Sequence, residues 1–243
     1  MEKFIKRLLK KKSFVGTTNL SARLAWLEAT LLKIPAGQKI LDAGAGELDQ
    51  KRFCNHLEYV SQDFGQYDGT GDNKGLQTSS WDNTKLDIVS DITAIPVPDQ
   101  SFDAIMCIEV FEHIPDPISA IKEFSRIVKP GGHVIITAPF CSFTHFAPYH
   151  FYTGFNTYFY EKHLADNGFE VIEISANGNF FEYVAQELQR IPFCAEKYAN
   201  HKVSVLDKAV IMKTLSLLGK LSRKNKGSEE FANFGLHVFA RKK

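Results

Sequence analysis

The stretch ILDAGAGELDQ, from Ile40 to Gln50, constrains this chain more than any other. A short apolar run ends abruptly in an acidic residue and two closely spaced glycines. Ile40 and Leu41 read as the end of a buried parallel strand, and Gly44 and Gly46 let the backbone turn where a side chain would block a ligand. A helix is expected next, over about Leu48 to Asn55. Strand, glycine turn and helix N-terminus in that order point to a nucleotide site.

The rest of the chain alternates helix and strand around that turn. Ser21 to Lys33 carries Leu24, Leu27, Leu31 and Leu32 at helical spacing and stops at Pro35 to Gly37. Strands are predicted over Lys39 to Ala43, Leu57 to Phe64, Leu86 to Ser90, Phe102 to Ile108, His133 to Ala138, Phe169 to Ser175 and Gly235 to Arg241. Asp116 followed by Pro117 starts a helix that Lys129 to Gly132 ends. Further helices are expected over Thr157 to Asn167, Phe180 to Gln189 and Leu206 to Leu221. Residues 65–85 show no period, so that stretch reads as a functional cover or a missed element. The pattern predicts an α/β fold with a doubly wound, mostly parallel seven-stranded sheet and a helical cover, with ligands at the carboxyl ends of the strands. One domain over 1–243 is expected: a helical cap over 1–36, a cofactor-binding core over 37–176, and C-terminal helices with the last strand over 177–243.

Composition narrows the partners. Lys and Arg number 29 against 28 Asp and Glu, so no overall field favours nucleic acid. The cysteines, Cys54, Cys107, Cys141 and Cys194, form no CxxC pair, so no metal site is assigned and a reducing, cytoplasmic setting is expected. No apolar run reaches the length of a membrane span. Residues 3–12 are expected to make a small basic amphipathic helix, read as a solvated cap or as a weak contact with an anionic membrane surface. Oligomeric state is not readable.

The nucleotide can be narrowed too. A nicotinamide fingerprint needs GxGxxG, but from Gly44 the residues run GAGELD, with Asp49 where the third glycine would admit close helix packing. Asp42 before the turn and Glu47 after it would repel a diphosphate. They suit a ligand that carries positive charge and no phosphate, such as S-adenosylmethionine.

With LDAGAG, the acidic strand end QDF, the run SDITAIPVPDQSFDAIMCIEVFEHIPDP and then KEFSRIVKPGGHVIITAP in order, the chain resembles the class I S-adenosylmethionine-dependent methyltransferases. The likeness is to the small-molecule group related to ubiquinone and menaquinone methyltransferases, and covers roughly Lys39 to Ser175. It implies a Rossmann-like methyltransferase fold, S-adenosyl-L-methionine as cofactor and S-adenosyl-L-homocysteine as product. It also implies roles: Asp42, Ala43, Gly44 and Gly46 line the methionine moiety, and Asp63 accepts both ribose hydroxyls. Asp91 accepts the adenine amino group beside Ile92, Phe64 packs on ribose or adenine, and Ile108 and Glu109 pass under the cofactor.

On the acceptor side, ten of the 30 aromatic residues fall between Phe140 and Tyr160, without helical or strand period, as in a loop that lines a pocket. His145 and His150, with His113 third, are the candidate general bases; each is equally readable as a structural histidine. The expected function is methyl transfer to a small-molecule acceptor: a sugar, a lipid-linked or an aromatic intermediate. The alternative is an S-adenosylmethionine-binding partner without its own catalysis.

Overall fold

A computed structural model describes residues 14–243. The basic helix expected over residues 3–12 lies outside the described residues. The described residues divide into two compact units: Leu24–Ser175 with Gly235–Lys243, and Ala176–Phe234 with residues 14–23.

The larger unit is built on a sheet of seven strands, β1 (Lys39–Ala43), β2 (Glu58–Asp63), β3 (Ile88–Val89), β4 (Phe102–Ile108), β5 (Val128–Pro139), β6 (Phe169–Asn177) and β7 (Gly235–Lys242). Their spatial order is β3-β2-β1-β4-β5-β7-β6. The β1–β2, β2–β3, β1–β4 and β4–β5 pairs are parallel, and β7 runs antiparallel to β5. From β1 the chain adds β2 and β3 on one side, then returns to place β4 on the other. The strand order therefore reverses between β1 and β4, and the crevice outside their carboxyl ends is where open α/β sheets bind ligands.

The central strands are largely apolar because both faces are covered; Asp42 of β1 and Asp103 of β4 are acidic exceptions. Leu41 and Ala43 of β1 and Ile105 and Cys107 of β4 enter one core, together with Phe124 of α2 (Pro117–Ile127) and Tyr160 and Leu164 of α3 (Thr157–Asp166). Ile40, Ala104, Met106 and Ile108 enter the other, against Leu27 and Leu31 of α1 (Asn19–Leu31). Neighbouring residues on a strand point to opposite faces, so two cores alternate along one sequence. Helix α2 starts as expected: Asp116 accepts hydrogen bonds from the Ser119 amide at 3.0 Å and hydroxyl at 2.6 Å, a cap worth about 1 kcal/mol.

Strand β3 is two residues, Ile88–Val89, against the five expected, and three other boundaries differ for identifiable reasons. The helix after the glycine turn is only a five-residue 3-10 turn, Asp49–Phe53. Its residues DQKRF include none that is buried, so there is no apolar stripe to hold an α-helix against the sheet. Strand β5 begins at Val128 rather than His133, because fully buried Val128 pairs with Phe102 and the Pro-Gly-Gly that follows is absorbed as an irregularity before His133 pairs with Ala104. In the smaller unit, α4 (Phe180–Ala199) passes through Pro192 and ends where Asn200 turns left-handed at φ 48°. It packs Ala185 against Leu215 and Leu218 of α5 (Val205–Ser222). No helix among the described residues is long and apolar enough to cross a membrane.

Candidate active site

The site is assembled at the reversal point from two turns and two loops. After β1, the amides of Gly44 and Ala45 donate to the Gln62 carbonyl at 2.8 and 2.9 Å. The Gly46 amide donates to Asp63 Oδ2 at 3.1 Å, and the Gly65 amide donates to Asp63 Oδ1 at 2.9 Å. One carboxylate thus clamps the turn after β1 to the turn after β2. Each oxygen still has a second lone pair to offer. Burial raises the Asp63 pKa, and the amides of Gly65, Gly46 and Phe64 oppose that rise.

The glycines are needed where they stand. Gly46 has φ +51°, and a Cβ there would lie 2.5 Å from Trp81 Cζ2; a Cβ on Gly44, φ +80°, would enter the Val110 side chain. Ala43 and Asp42 beside them are buried. The Tyr59 hydroxyl donates to Asp42 Oδ2 at 2.6 Å. Burial pushes the Asp42 carboxyl up to about 7, opposed by Tyr59 and reinforced by Asp63. Glu47, on the other side of the turn, faces away to accept the Asp82 amide at 3.2 Å.

The remaining expected cofactor residues line the same strand ends. Phe64 is half-buried and meets Tyr149 edge-on, with ring centroids 4.9 Å apart. Asp91 is exposed, and its Oδ1 caps its own turn by accepting the Thr93 amide and hydroxyl, both at 2.8 Å. Ile92 and Ile108 are buried. Glu109 is left-handed at φ 57°, its amide bonded to the Thr137 carbonyl and its Oε1 to the Thr137 hydroxyl. A non-glycine residue held there stores about 1 kcal/mol or more, as backbone at ligand sites often does.

The 65–85 stretch contains no helix and is stitched to the aromatic loop after β5. The Leu76 amide bonds to the Thr144 carbonyl, the Phe146 amide to the Leu76 carbonyl and the Asp72 amide to the Ala147 carbonyl. Tyr67 stacks on Phe146 at 4.7 Å, and Trp81 meets both rings edge-on at 5.5 Å. Trp81 therefore ties the glycine turn to the loop that carries two of the nominated histidines.

Those three histidines come together. Ring centroids lie 4.6 Å apart for His113 and His145, 4.8 Å for His145 and His150, and 6.0 Å for His113 and His150. His113 stacks on Phe146, and its Nδ1 donates to the Tyr149 carbonyl at 2.5 Å. Burial, then the neighbouring His145, lowers its pKa to about 3, so it is neutral at ordinary pH and takes no proton. Burial opposes a charge on His145, but the Glu112 carboxylate and the Phe143 carbonyl outweigh it and raise the pKa. Burial and then His145 lower the pKa of His150, the least buried of the three. The Ser142 hydroxyl donates its one hydrogen to the Thr153 carbonyl at 3.1 Å, so His150 Nε2, 3.2 Å from Ser142 Oγ, is the donor of that pair. Neutral His150 consequently carries its basic lone pair on Nδ1.

Glu112, 1% exposed at the centre of this cluster, escaped the sequence reading. A glutamate in FEH looks like an ordinary solvated residue, and only the loop folded over it removes the water. Nothing near Trp81 in sequence indicates its proximity to Gly46.

Residues 41–136 match a family model described as a methyltransferase domain. Over those residues the chain is similar to methyltransferase domains. The matched residues hold the glycine turn, Asp63, Asp91 and Glu109 to His113, and end before the loop bearing His145 and His150. A ubiquinone biosynthesis O-methyltransferase of Aliivibrio fischeri is 32% identical over 106 residues, 42% of this chain and 44% of that protein. The aligned part of the chain spans less than half the length of the curated relatives it matches. Its fold is shared with an S-adenosylmethionine-dependent methyltransferase from Mesorhizobium loti, at 16% identity and TM-score 0.52, over 91% of this chain and 98% of that one. It is shared also with Haemonchus contortus phosphoethanolamine N-methyltransferase 2 in complex with phosphomonomethylethanolamine and S-adenosylhomocysteine, at 18% identity and TM-score 0.50, over 96% and 61%.

Proposed function

We propose that the protein binds S-adenosylmethionine against Asp42, Gly44, Gly46 and Asp63 and transfers its methyl group to a hydroxyl of a small aromatic acceptor. The observation that carries this reading is the Asp63 clamp. It holds a glycine turn and a carboxylate with spare lone pairs at the strand-order reversal, with a histidine cluster on the adjoining loop. Asp63 accepts the two ribose hydroxyls, and Asp42 faces the charged methionine end. Phe64 packs beside the ribose or adenine, while Asp91 keeps lone pairs for the adenine amino group. The short 3-10 turn after Gly46 offers no α-helix dipole for a diphosphate, which argues against a dinucleotide. An aromatic acceptor is favoured by the ring-lined loop and by relatives named for ubiquinone biosynthesis.

Methyl transfer is an in-line displacement at carbon, and the cofactor supplies the activated methyl and its leaving group. Positioning donor and acceptor in a dry site is worth about 7 to 11 kcal/mol. His150 Nδ1 accepts the proton as the hydroxyl attacks. Titration with S-adenosylmethionine, its demethylated product and NAD tests the cofactor: binding of the first two and not the third is expected, and the reverse pattern overturns the reading. Screening acceptors with a labelled methyl donor separates an enzyme from a binding partner that lacks catalysis.

Asp42 sets a pH dependence. Tyr59, Asp63, Cys54 and Cys107 are the titratable groups coupled to it, and none brings a compensating positive charge. With a pKa of about 7 the carboxyl is protonated in much of the free protein, whereas a cationic ligand requires it ionised. S-adenosylmethionine affinity should rise about tenfold from pH 6 to pH 8 and then level off. The folded pKa lies above the unfolded value, so the free protein also loses stability as pH rises from about 4 to 7. Calorimetry across pH checks the binding slope. Asp42→Asn should flatten it; an unchanged slope would place the charge elsewhere.

A further inference from the structure

The geometry points to a site for a zinc-class divalent metal ion formed by Glu112, His113 and His145. The carboxylate oxygen Oε1 of Glu112 lies 3.7 Å from His113 Nε2 and 3.8 Å from His145 Nε2. One ligating atom from each residue lies within 4.8 Å of the other two. The tautomers are dictated from outside the cluster. A carbonyl oxygen can only accept, so His113 Nδ1 must donate to Tyr149 and His145 Nδ1 must donate to Phe143, the latter at 2.8 Å. In the neutral rings both Nε2 lone pairs then face Glu112.

Two imidazole lone pairs and a buried carboxylate converge with no donor among them, an arrangement that costs free energy unless a positive charge joins them. A proton on His145 would satisfy one of the three and leave His113 Nε2 facing an acceptor. Glu112 Oε2 is also buried with no hydrogen-bond partner among the described residues. A single cation satisfies every group at once. Bonds of about 2.0 to 2.2 Å in a tetrahedron place ligand atoms about 3.3 to 3.5 Å apart, so the two Glu112–histidine spacings need only a small side-chain contraction. The outer half of the site is also supplied, because metal-bound histidines characteristically give their other N–H to a carbonyl or carboxylate. Two imidazoles and one carboxylate are the donor set of zinc sites that keep an open coordination position; Co2+ and Fe2+ are the nearest competitors.

No ligand spacing announced this, since Glu112 and His113 are adjacent and His145 arrives from the loop after β5. The site stands independently of methyl transfer. Its use, as a Lewis acid that lowers the pKa of an acceptor hydroxyl, rests on the methyl-transfer reading.

The test uses the full, tag-free chain, stripped with a chelator and titrated with Co2+ while its visible d–d absorption is followed. One equivalent should bind and be displaced by Zn2+. Glu112→Gln and His145→Gln should each weaken binding at least tenfold, whereas His201→Ala, in the smaller unit, should not. S-adenosylhomocysteine binding, measured in parallel by calorimetry, should survive in all three variants and so report that they are folded. Wild-type protein that takes up no stoichiometric Co2+, or Gln variants that bind it normally, would overturn the site. Wild-type protein that takes up Co2+ but no S-adenosylhomocysteine would support the metal site and overturn the cofactor reading instead.

Discussion

Asp63→Ala is expected to weaken S-adenosylmethionine binding by about 100-fold or more. In the proposed complex the substitution removes two charge-assisted hydrogen bonds to the ribose, each worth about 1.5 to 3 kcal/mol. It also frees the two turns that the carboxylate holds together, through the Gly46 amide at 3.1 Å and the Gly65 amide at 2.9 Å. Asp63→Asn is the informative companion. An amide has only one acceptor oxygen, so its nitrogen must face one of the two backbone N–H groups, and Asn should rescue little of the affinity. Calorimetry gives the loss, and a thermal melt separates it from unfolding. Affinity unchanged in both variants would mean that the cofactor binds elsewhere.

His150→Ala is expected to lower turnover by about 100-fold or more while leaving S-adenosylmethionine affinity within about twofold, because general-base catalysis contributes roughly 10² to 10⁴ in rate. The choice of His150 over its neighbours is structural. His113 is buried and held neutral, and the Nε2 of His145 faces Glu112. His150 is the least buried, with Nε2 engaged by Ser142 and the basic lone pair on Nδ1. Its lowered pKa keeps it neutral and ready to accept a proton near pH 7. Single-turnover kinetics with a saturating acceptor would isolate the chemical step, and a wild-type rate would make His150 a structural residue.

Much of the donor side was legible because its signals are local. Strand β1 matches its expected bounds, Lys39–Ala43, since Ile40, Leu41 and Ala43 form a short apolar run buried on both faces and Gly44 breaks it. The Asp116 cap and Pro117 start marked α2 for the same reason, as both act within one turn of chain. The turn after Gly46 is a short 3-10 element, Asp49–Phe53, where element order predicts a longer helix, because only Phe53 of its side chains packs partly against the core. The 65–85 stretch, aperiodic in sequence, contains no helix, and its aperiodicity does not say what it packs on. Its partners, Thr144, Phe146 and Ala147, lie about seventy residues away, and pairings at that separation leave no periodic trace.

By itself the sequence determined the α/β alternation, the glycine turn and the acidic strand ends, because hydrophobic period, φ above zero and the charge of a side chain act on neighbouring residues. Only the tertiary structure decided what His113, His145 and His150 are to one another. Two loops closing over Glu112 exclude water from a carboxylate that looks solvated in one dimension, and backbone carbonyls from that closure choose which nitrogen of His113 and of His145 keeps its lone pair. Burial and tautomer are properties of the surroundings, so no local reading of FEH or THF contains them.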